Sequence, residues 1–437
     1  MLLLQRVRRV DGLTLIFSVI LFPPHPRTTD APLGRDCLMT NSSPQKVIIN
    51  ERAAARLRGG HAWVYASDVL SDAGAQAGAL VQVLGPKNQA LGTAIYSSSS
   101  QIRLRLLGRE LLGSEEELSQ LIRQRLAEAF EYRKRIVEDS DAYRLVFSEA
   151  DRLPGLIIDR YNDVYTFQVL TQAWERLERK QVVVDALQEV AGAGSVVERV
   201  DQRIRELEQL PATESRLVQG SKHATIFTMN GVKFHYDALS GQKTGAFLDQ
   251  RENYRVAARY AHGEALDVCT YQGGFALHLA RVCNRVTALD ISRAMLEVAE
   301  QNEKLNAEAN KSEIEWIEAN AFDLMKDYAA AGRQYDMIVL DPPAFAKSKK
   351  HLESAMRGYK ELNLRAIKML KPGGVLVTCT CSSAVSEEDF QATLTEAAQD
   401  AHRSVKLVEK HTQAKDHPIL LGVPETHYLK CFVLISF

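Results

Sequence analysis

Three acidic residues, Asp267, Asp290 and Asp341, close short apolar runs in the second half of this 437-residue chain. Asn320-Ala321 follows another such run, and Cys381 closes a fifth. The segment Ala265-Leu-Asp-Val-Cys-Thr-Tyr-Gln-Gly-Gly-Phe275 sets an acid before a glycine pair. Gly273 and Gly274 let backbone approach a ligand closely at a turn into a helix, whose N-terminus favours a negative group such as a carboxylate. About 20 residues further on, Asp290 stands where an acid binds ribose hydroxyls. These features alone suit both a nicotinamide dehydrogenase and an S-adenosylmethionine (SAM) enzyme. The absence of GxGxxG favours SAM, and so does Asp267, which is better placed for an amino group than for a pyrophosphate. A glycine turn that merely packs is the bland alternative. Asn320, Ala321 and Phe322 lie where an adenine would rest.

Asp341-Pro-Pro-Ala-Phe345 sets a carboxylate, two stiffening prolines and an aromatic at the end of the fourth run, which suits a flat base. Lys347, Lys349, Lys350 and His351 follow and could neutralise phosphates beside a target nucleotide, or form only a solvated loop. In Thr378-Cys-Thr-Cys-Ser-Ser383, the alternation of a strand puts Cys379 and Cys381 on one face, with only Cys381 reaching the tip. A thiolate there could add to an electron-poor ring carbon and activate the neighbouring carbon toward a methyl electrophile. Free cysteine is more often a small buried hydrophobe, the reading for Cys269, Cys283 and Cys379.

The elements that must hold these groups are legible. After about residue 238 strands alternate with helices: Glu264 to Asp267, Arg285 to Asp290, Ile314 to Glu318, Tyr335 to Asp341 and Val375 to Cys381. Such alternation predicts a parallel sheet wrapped by helices, with ligands at the carboxyl ends of its strands. Lys371-Pro-Gly-Gly374 reads as a turn between a helix and the fifth strand, Ser386-Glu-Glu-Asp389 as a capping box, and Tyr428 to Phe437 as a closing strand. Residues 113–237 read as an α+β domain. It has a helix from Ser114 to Ile136, a long helix from Trp174 to Val190, and strands Ala224 to Met229 and Val232 to Tyr236 joined by Asn230-Gly231. Residues 46–112 carry short strands around Glu51 to Arg58, a helix closed by Gly59-Gly60, and read as a small β-barrel.

Composition narrows the class. Hydrophobic residues are 46%, charged residues 25%, and 54 Lys+Arg balance 55 Asp+Glu for a net charge of -1. That excludes a disordered chain and one that coats nucleic acid by bulk charge, but not a local basic groove. The six cysteines, at 37, 269, 283, 379, 381 and 431, form no CxxC pair, so neither a disulfide framework nor a zinc site is expected. The apolar run from Leu13 to Phe22 is only half as long as a bilayer span, which needs about 20 residues. Residues 1–45 read as an extension outside the native fold, with translation expected from Met39; a signal or anchor segment and a disordered tail are the alternatives.

With these residues in place, the chain from about residue 46 onward resembles the bacterial PUA-domain-containing, SAM-dependent ribosomal RNA large subunit 5-methylcytosine methyltransferases. Gly60-His-Ala-Trp-Val-Tyr65 and Gln101-Ile-Arg-Leu-Arg-Leu-Leu107 are similar to its PUA domain. Tyr143-Arg-Leu-Val-Phe-Ser-Glu-Ala-Asp-Arg-Leu-Pro-Gly155 is similar to its central domain, and Gly241-Gln-Lys-Thr-Gly-Ala-Phe-Leu-Asp-Gln-Arg-Glu-Asn253 to the segment before its cofactor loop. Ala246 and Cys269-Thr270 depart from the family pattern.

The resemblance implies an α/β architecture: a small PUA barrel, a central α+β domain, and a Rossmann-like class I SAM methyltransferase domain over 238–437. It implies that Asp267, Asp290, Asn320 and Asp341 line the SAM site, with Gln250 and Arg251 as candidate contributors. It also implies that Cys381 attacks carbon-6 of a cytosine while Asp341 orients and protonates the ring. The group that removes the carbon-5 proton is left unassigned. Structured ribosomal RNA is the implied partner, in the cytoplasm, with neither DNA nor membrane expected; the family allows a homodimer. Methylation of an exocyclic amine, with Cys381 incidental, and a non-catalytic RNA-binding assembly factor are the alternatives.

Overall fold

A computed structural model describes residues 7–10, 13–16, 45–239, 246–345 and 352–437. The basic cluster from Lys347 to His351 and residues 241–245 lie outside the described residues. In the N-terminal unit Val7–Val10 pairs antiparallel with Leu13–Ile16; the chain from Ser43 onward is a second compact unit.

That second unit opens with the short strands expected. Asn50 accepts a hydrogen bond from the Ala53 amide (2.9 Å) and so starts the helix Glu51–Arg58. Six strands form one sheet whose edges are Trp63–Tyr65 and Val69–Ser71. Only Ala66–Asp68 separates these edges along the chain, so the sheet is rolled until they nearly meet, a barrel-like solution to exposed edges.

The central α+β part is a five-stranded sheet in the order Arg216–Gln219, Ser195–Arg199, Val164–Val169, Leu156–Tyr161, Ala142–Phe147. Ser114 caps the helix Glu115–Ile136. The long helix expected from Trp174 is instead a 3₁₀ turn, Gln172–Glu175, an extended Arg176, and a helix over Leu177–Ala191. Trp174 is buried and donates its indole N–H to the Pro154 carbonyl (2.7 Å), which fixes the turn at the cost of helical continuity.

The hairpin Ala224–Met229/Val232–Asp237 turns at Asn230 (φ 52°) and Gly231 (φ 75°). These are the two positive angles that a tight two-residue turn requires. Phe227, Phe234 and Tyr236 share a core with Tyr254, Phe275 and Ala276, so the expected boundary at residue 238 runs through continuous packing.

The last part is a seven-stranded sheet: β1 Glu264–Val268, β2 Arg285–Asp290, β3 Ile314–Glu318, β4 Tyr335–Leu340, β5 Leu370–Thr380, β6 Val405–His411 and β7 Lys430–Ser436. Their order is β3-β2-β1-β4-β5-β7-β6; β1 to β5 are parallel, and β7 runs antiparallel between β5 and β6. Helices α1 Arg251–Tyr260, α2 Gly274–Ala280, α3 Arg293–Leu305, α4 Ala321–Ala330, α5 Leu352–Met369 and α6 Glu387–Asp400 connect or flank the strands. Both faces are covered, and β1, β4 and β5 are buried apolar runs, as a central parallel sheet demands. Ser386 and Asp389 form the expected capping box on α6.

Lys371-Pro-Gly-Gly374 is not a separating turn. Pairing with β4 starts at Leu370, and the register shifts between Tyr335 and Met337, so these residues form a bulge inside β5. β6 and the strand Arg216–Gln219 were not expected from the sequence; both are sheet-edge strands.

Candidate functional site

The strand order reverses between β1 and β4, and this is where a doubly wound sheet opens a crevice beyond its carboxyl ends. Leu340 pairs with Val268 on one side and Thr378 on the other. Asp341 therefore follows β4 directly, beside Cys269 on its left and close to Cys381 on its right. Asp290, one strand further, ends β2. A cavity of about 350 Å³ occupies this crevice, inside the range of small-molecule sites, roughly 300–1,000 Å³. Asp249, Gln250, Gly274, Asp290, Asp341, Pro342, Pro343 and Cys381 all line it.

The loop from Cys269 to Gly273 carries the conformational burden. Cys269 (φ 66°), Tyr271 (φ 54°) and Gly273 (φ 85°) all take left-handed backbone. That conformation is unusual for the first two and is concentrated where function tends to hold strain. The turn brings the Tyr271 amide to Asp290 Oδ2 (2.9 Å), while the Ser292 amide holds Oδ1 (2.9 Å). The glycine pair is demanded by protein packing too. A Cβ on Gly273 would sit 2.8 Å from Trp316, and one on Gly274 2.4 Å from the Tyr254 hydroxyl.

Asp267 lies beneath this loop, fully buried. Its Oδ2 accepts from the Thr270 hydroxyl (2.6 Å) and the Ala276 amide (2.9 Å), whereas Oδ1 is buried with no hydrogen-bond partner. Burial raises its carboxyl to about 7, against those two hydrogen bonds and with the Asp290 charge adding to the rise. Asp341 is raised to about 8, by burial first and then by Asp249 and Asp267, with Gln250 opposing through a hydrogen bond. The Cys381 thiol is pushed up to about 12 by burial, then by Asp341 and Asp249.

Three acidic side chains line the cavity and, among the described residues, no lysine, arginine or histidine does. Even with Asp341 protonated near neutral pH, a site with acids and no cationic side chain repels a pyrophosphate and accepts a cation. SAM is such a ligand; Asp267 is not itself a lining residue, but its unpartnered oxygen lies beneath the loop that is, and is the kind of acceptor an ammonium group needs. The residues present therefore fit SAM and not a dinucleotide.

The other sequence candidates fall as follows. Gln250 is buried at the cavity wall; its Oε1 accepts from Asn253 Nδ2 (2.6 Å). Arg251 is turned away, donating to Asp416 (2.9 Å) in a buried ion pair. Asn320 caps α4, accepting from the amides of Phe322 (2.9 Å) and Asp323 (3.4 Å), and neither it nor Ala321 is among the lining residues. Phe345, expected to hold a flat base, packs instead against Tyr359 with centroids 4.7 Å apart, partly buried at the edge of the core beside α5. The aromatic walls come from elsewhere: Phe247 and Tyr271, 4.8 Å apart, with Tyr254, Phe275 and Phe234 of the hairpin. Asp249, outside the named candidates, stood one residue before Gln250 in the motif. Phe234 gave no local signal, since only the fold brings the hairpin to the cavity.

Comparison with known proteins agrees with this geometry. A family model for S-adenosylmethionine-dependent methyltransferases matches residues 200–430, and one for a PUA-like domain matches residues 47–109. The ribosomal RNA large subunit methyltransferase I of Vibrio vulnificus is 36% identical over 379 residues, covering 85% of this chain and 94% of that protein. The Klebsiella pneumoniae protein of the same name is 35% identical over 401 residues, covering 90% and 99%. A solved Streptococcus mutans chain described as a SAM-dependent methyltransferase superposes with a TM-score of 0.75 at 18% identity, over 90% of this chain and 100% of that one, a likeness of fold. The chain belongs to the PUA-containing, SAM-dependent ribosomal RNA large subunit methyltransferase I family.

Proposed function

We propose that this protein methylates carbon-5 of a cytosine in large-subunit ribosomal RNA, with Cys381 as the nucleophile. The observation that carries the reading is the pairing of Cys381 with Asp341 at neighbouring strand ends over one acid-lined cavity. When bound, SAM supplies the electrophilic methyl group and a positive charge among the carboxylates. In this reading Asp267 holds the ammonium group and Asp290 the ribose hydroxyls, while Gly274 keeps the floor of the cavity open.

The base must be unstacked to enter such a pocket. Asp341, held protonated near neutral pH, can donate to ring nitrogen-3. That draws electron density from carbon-6, where Cys381 Sγ adds as its thiol proton passes to solvent water, and the carbon-5 enamine so formed is the methyl acceptor. Pro342 and Pro343 fix the backbone that aims Asp341. The rolled sheet over 45–108, matched by a PUA-like domain, supports structured RNA as the substrate class. Its relatives' names support the ribosomal large subunit.

The test uses large-subunit RNA in which 5-fluorocytidine replaces cytidine. Fluorine cannot leave carbon-5 as a cation, so the adduct persists, and peptide mapping should find it on Cys381 in the wild type and nowhere in Cys381→Ala. Methyl transfer to ordinary RNA by Cys381→Ala at a normal rate would overturn the reading in favour of an amine acceptor.

A further inference from the structure

The carbon-5 reading leaves one proton without an acceptor. After methyl transfer, carbon-5 carries both the new methyl and its original hydrogen. Cys381 cannot leave until that hydrogen departs as a proton. The cavity offers few groups able to take it. Asp341 is the proton donor to the ring in this scheme. Both oxygens of Asp290 accept backbone amides, from Tyr271 and Ser292. Asp267 lies beneath the loop and is committed to the ammonium group of SAM in this reading. The Tyr254 hydroxyl is buried and donates toward the Phe247 carbonyl (3.4 Å), and Cys269 is a thiol under the same loop.

Asp249 differs from all of these. It sits in the 3₁₀ turn Leu248–Gln250 and lines the cavity with Asp341 and Cys381. Its position is fixed from two sides: the Tyr428 hydroxyl donates to Oδ2 (2.6 Å), and the Ala414 amide donates to its backbone carbonyl (2.8 Å). Its Oδ1 accepts no hydrogen bond from the described residues, and the residue is only half-buried. It is thus a cavity-lining carboxylate with one oxygen anchored and the other without a hydrogen bond from the described residues. Tyr428 immediately precedes Leu429, itself a lining residue, so the anchor and the wall are one segment.

Resting on the carbon-5 reading, we propose that Asp249 is the catalytic base that removes the carbon-5 proton and releases Cys381. Asp249 Oδ1 takes the proton. The electron pair of the carbon-5–hydrogen bond becomes the carbon-5–carbon-6 double bond as the carbon-6–sulfur bond breaks. The sulfur pair leaves on Cys381 as thiolate, and the proton on ring nitrogen-3 returns to Asp341. Tyr428 is a positioning residue in this scheme.

The experiment compares the full-length wild type with Asp249→Asn and Asp249→Glu on ordinary large-subunit RNA with isotope-labelled SAM, reading turnover and protein–RNA adduct on denaturing gels. Loss of a general base lowers turnover roughly 10²- to 10⁴-fold. Asp249→Asn should therefore stall with labelled RNA covalently held on Cys381, an adduct the wild type does not accumulate. Asp249→Glu, which keeps a carboxylate, should retain measurable turnover. The adduct itself shows that the stalled variant is folded and active up to elimination. Normal turnover by Asp249→Asn would overturn the proposal. So would loss of adduct and turnover together in both variants, which would make Asp249 a residue needed before elimination. If wild type forms no adduct even with 5-fluorocytidine RNA, the carbon-5 reading fails and takes the proposal with it. An adduct there combined with an unstalled Asp249→Asn removes only Asp249.

Discussion

Asp267→Asn should make the ligand-free protein more stable at pH 8 while weakening its hold on SAM. In the wild type a fully buried carboxyl is raised from 3.8 to about 7, with burial as the main cause. Because the folded-state value lies above the unfolded one, the folded chain binds the extra proton between those limits. Its stabilising effect is complete below about pH 4 and is lost as pH rises through about 7. Each tenfold in proton affinity is about 1.4 kcal/mol, so the charged carboxylate destabilises the empty fold at pH 8 by at most about 4 kcal/mol. Asparagine keeps an oxygen for Thr270 and Ala276 but puts an amide group where Oδ1 had no partner, a loss of about 1–3 kcal/mol. The net expectation is a gain of about 1–3 kcal/mol at pH 8 that shrinks by roughly 1 kcal/mol at pH 6, where the wild-type group is largely protonated. Urea denaturation at the two pH values, wild type against variant, reads this difference; because the Asp267 charge is one of those raising Asp341, its removal relaxes that carboxyl too and adds to the gain at pH 8. Isothermal titration should show SAM binding weakened about 10- to 100-fold, the worth of a charge-assisted hydrogen bond of about 1.5–3 kcal/mol. A variant that is less stable at both pH values and binds SAM normally would refute the reasoning, since Asp267 would then be a structural cap on the loop.

Other expectations follow from the same geometry. Asp341→Asn removes the foremost of the charges holding the Cys381 thiol up, so iodoacetamide should alkylate Cys381 several-fold faster at pH 9 than in the wild type, measured by peptide mass spectrometry. Gly274→Ala drives a Cβ onto Tyr254 and should destabilise the fold by about 1–3 kcal/mol in thermal melts, with SAM binding impaired in parallel. Arg251→Ala breaks a buried ion pair, leaving the Asp416 carboxylate only His417 and the Arg144 amide, and should lower stability by about 3–5 kcal/mol; saturating SAM should not restore it preferentially, because Arg251 faces away from the cavity.

The parts of the site that were legible are those fixed by the chain's own periodicity. Asp290, Asp341 and Cys381 stand at strand ends, and a parallel sheet necessarily gathers its carboxyl ends, so placing the strands placed the residues. What was not legible came from tertiary packing. Phe345 has the right position after the prolines but packs against the edge of the core because Tyr359 of α5 is there to receive it. Arg251 is adjacent to Gln250, yet the helical turn sends one side chain to the cavity and the other to Asp416. Phe234 and Met229 wall the site from a hairpin that sequence distance assigned to another domain. The first helix of the central part lies where it was expected, with Ser114 as its cap, while Trp174 broke the long helix expected from it, since its indole found a carbonyl on a different loop.

The most direct test of the central claim is nucleoside mass spectrometry of large-subunit ribosomal RNA incubated with this protein and isotope-labelled SAM. The account predicts label in 5-methylcytidine, absent when Cys381 is replaced by alanine. Label in a nucleoside methylated on an exocyclic amine, undiminished by that replacement, would contradict it.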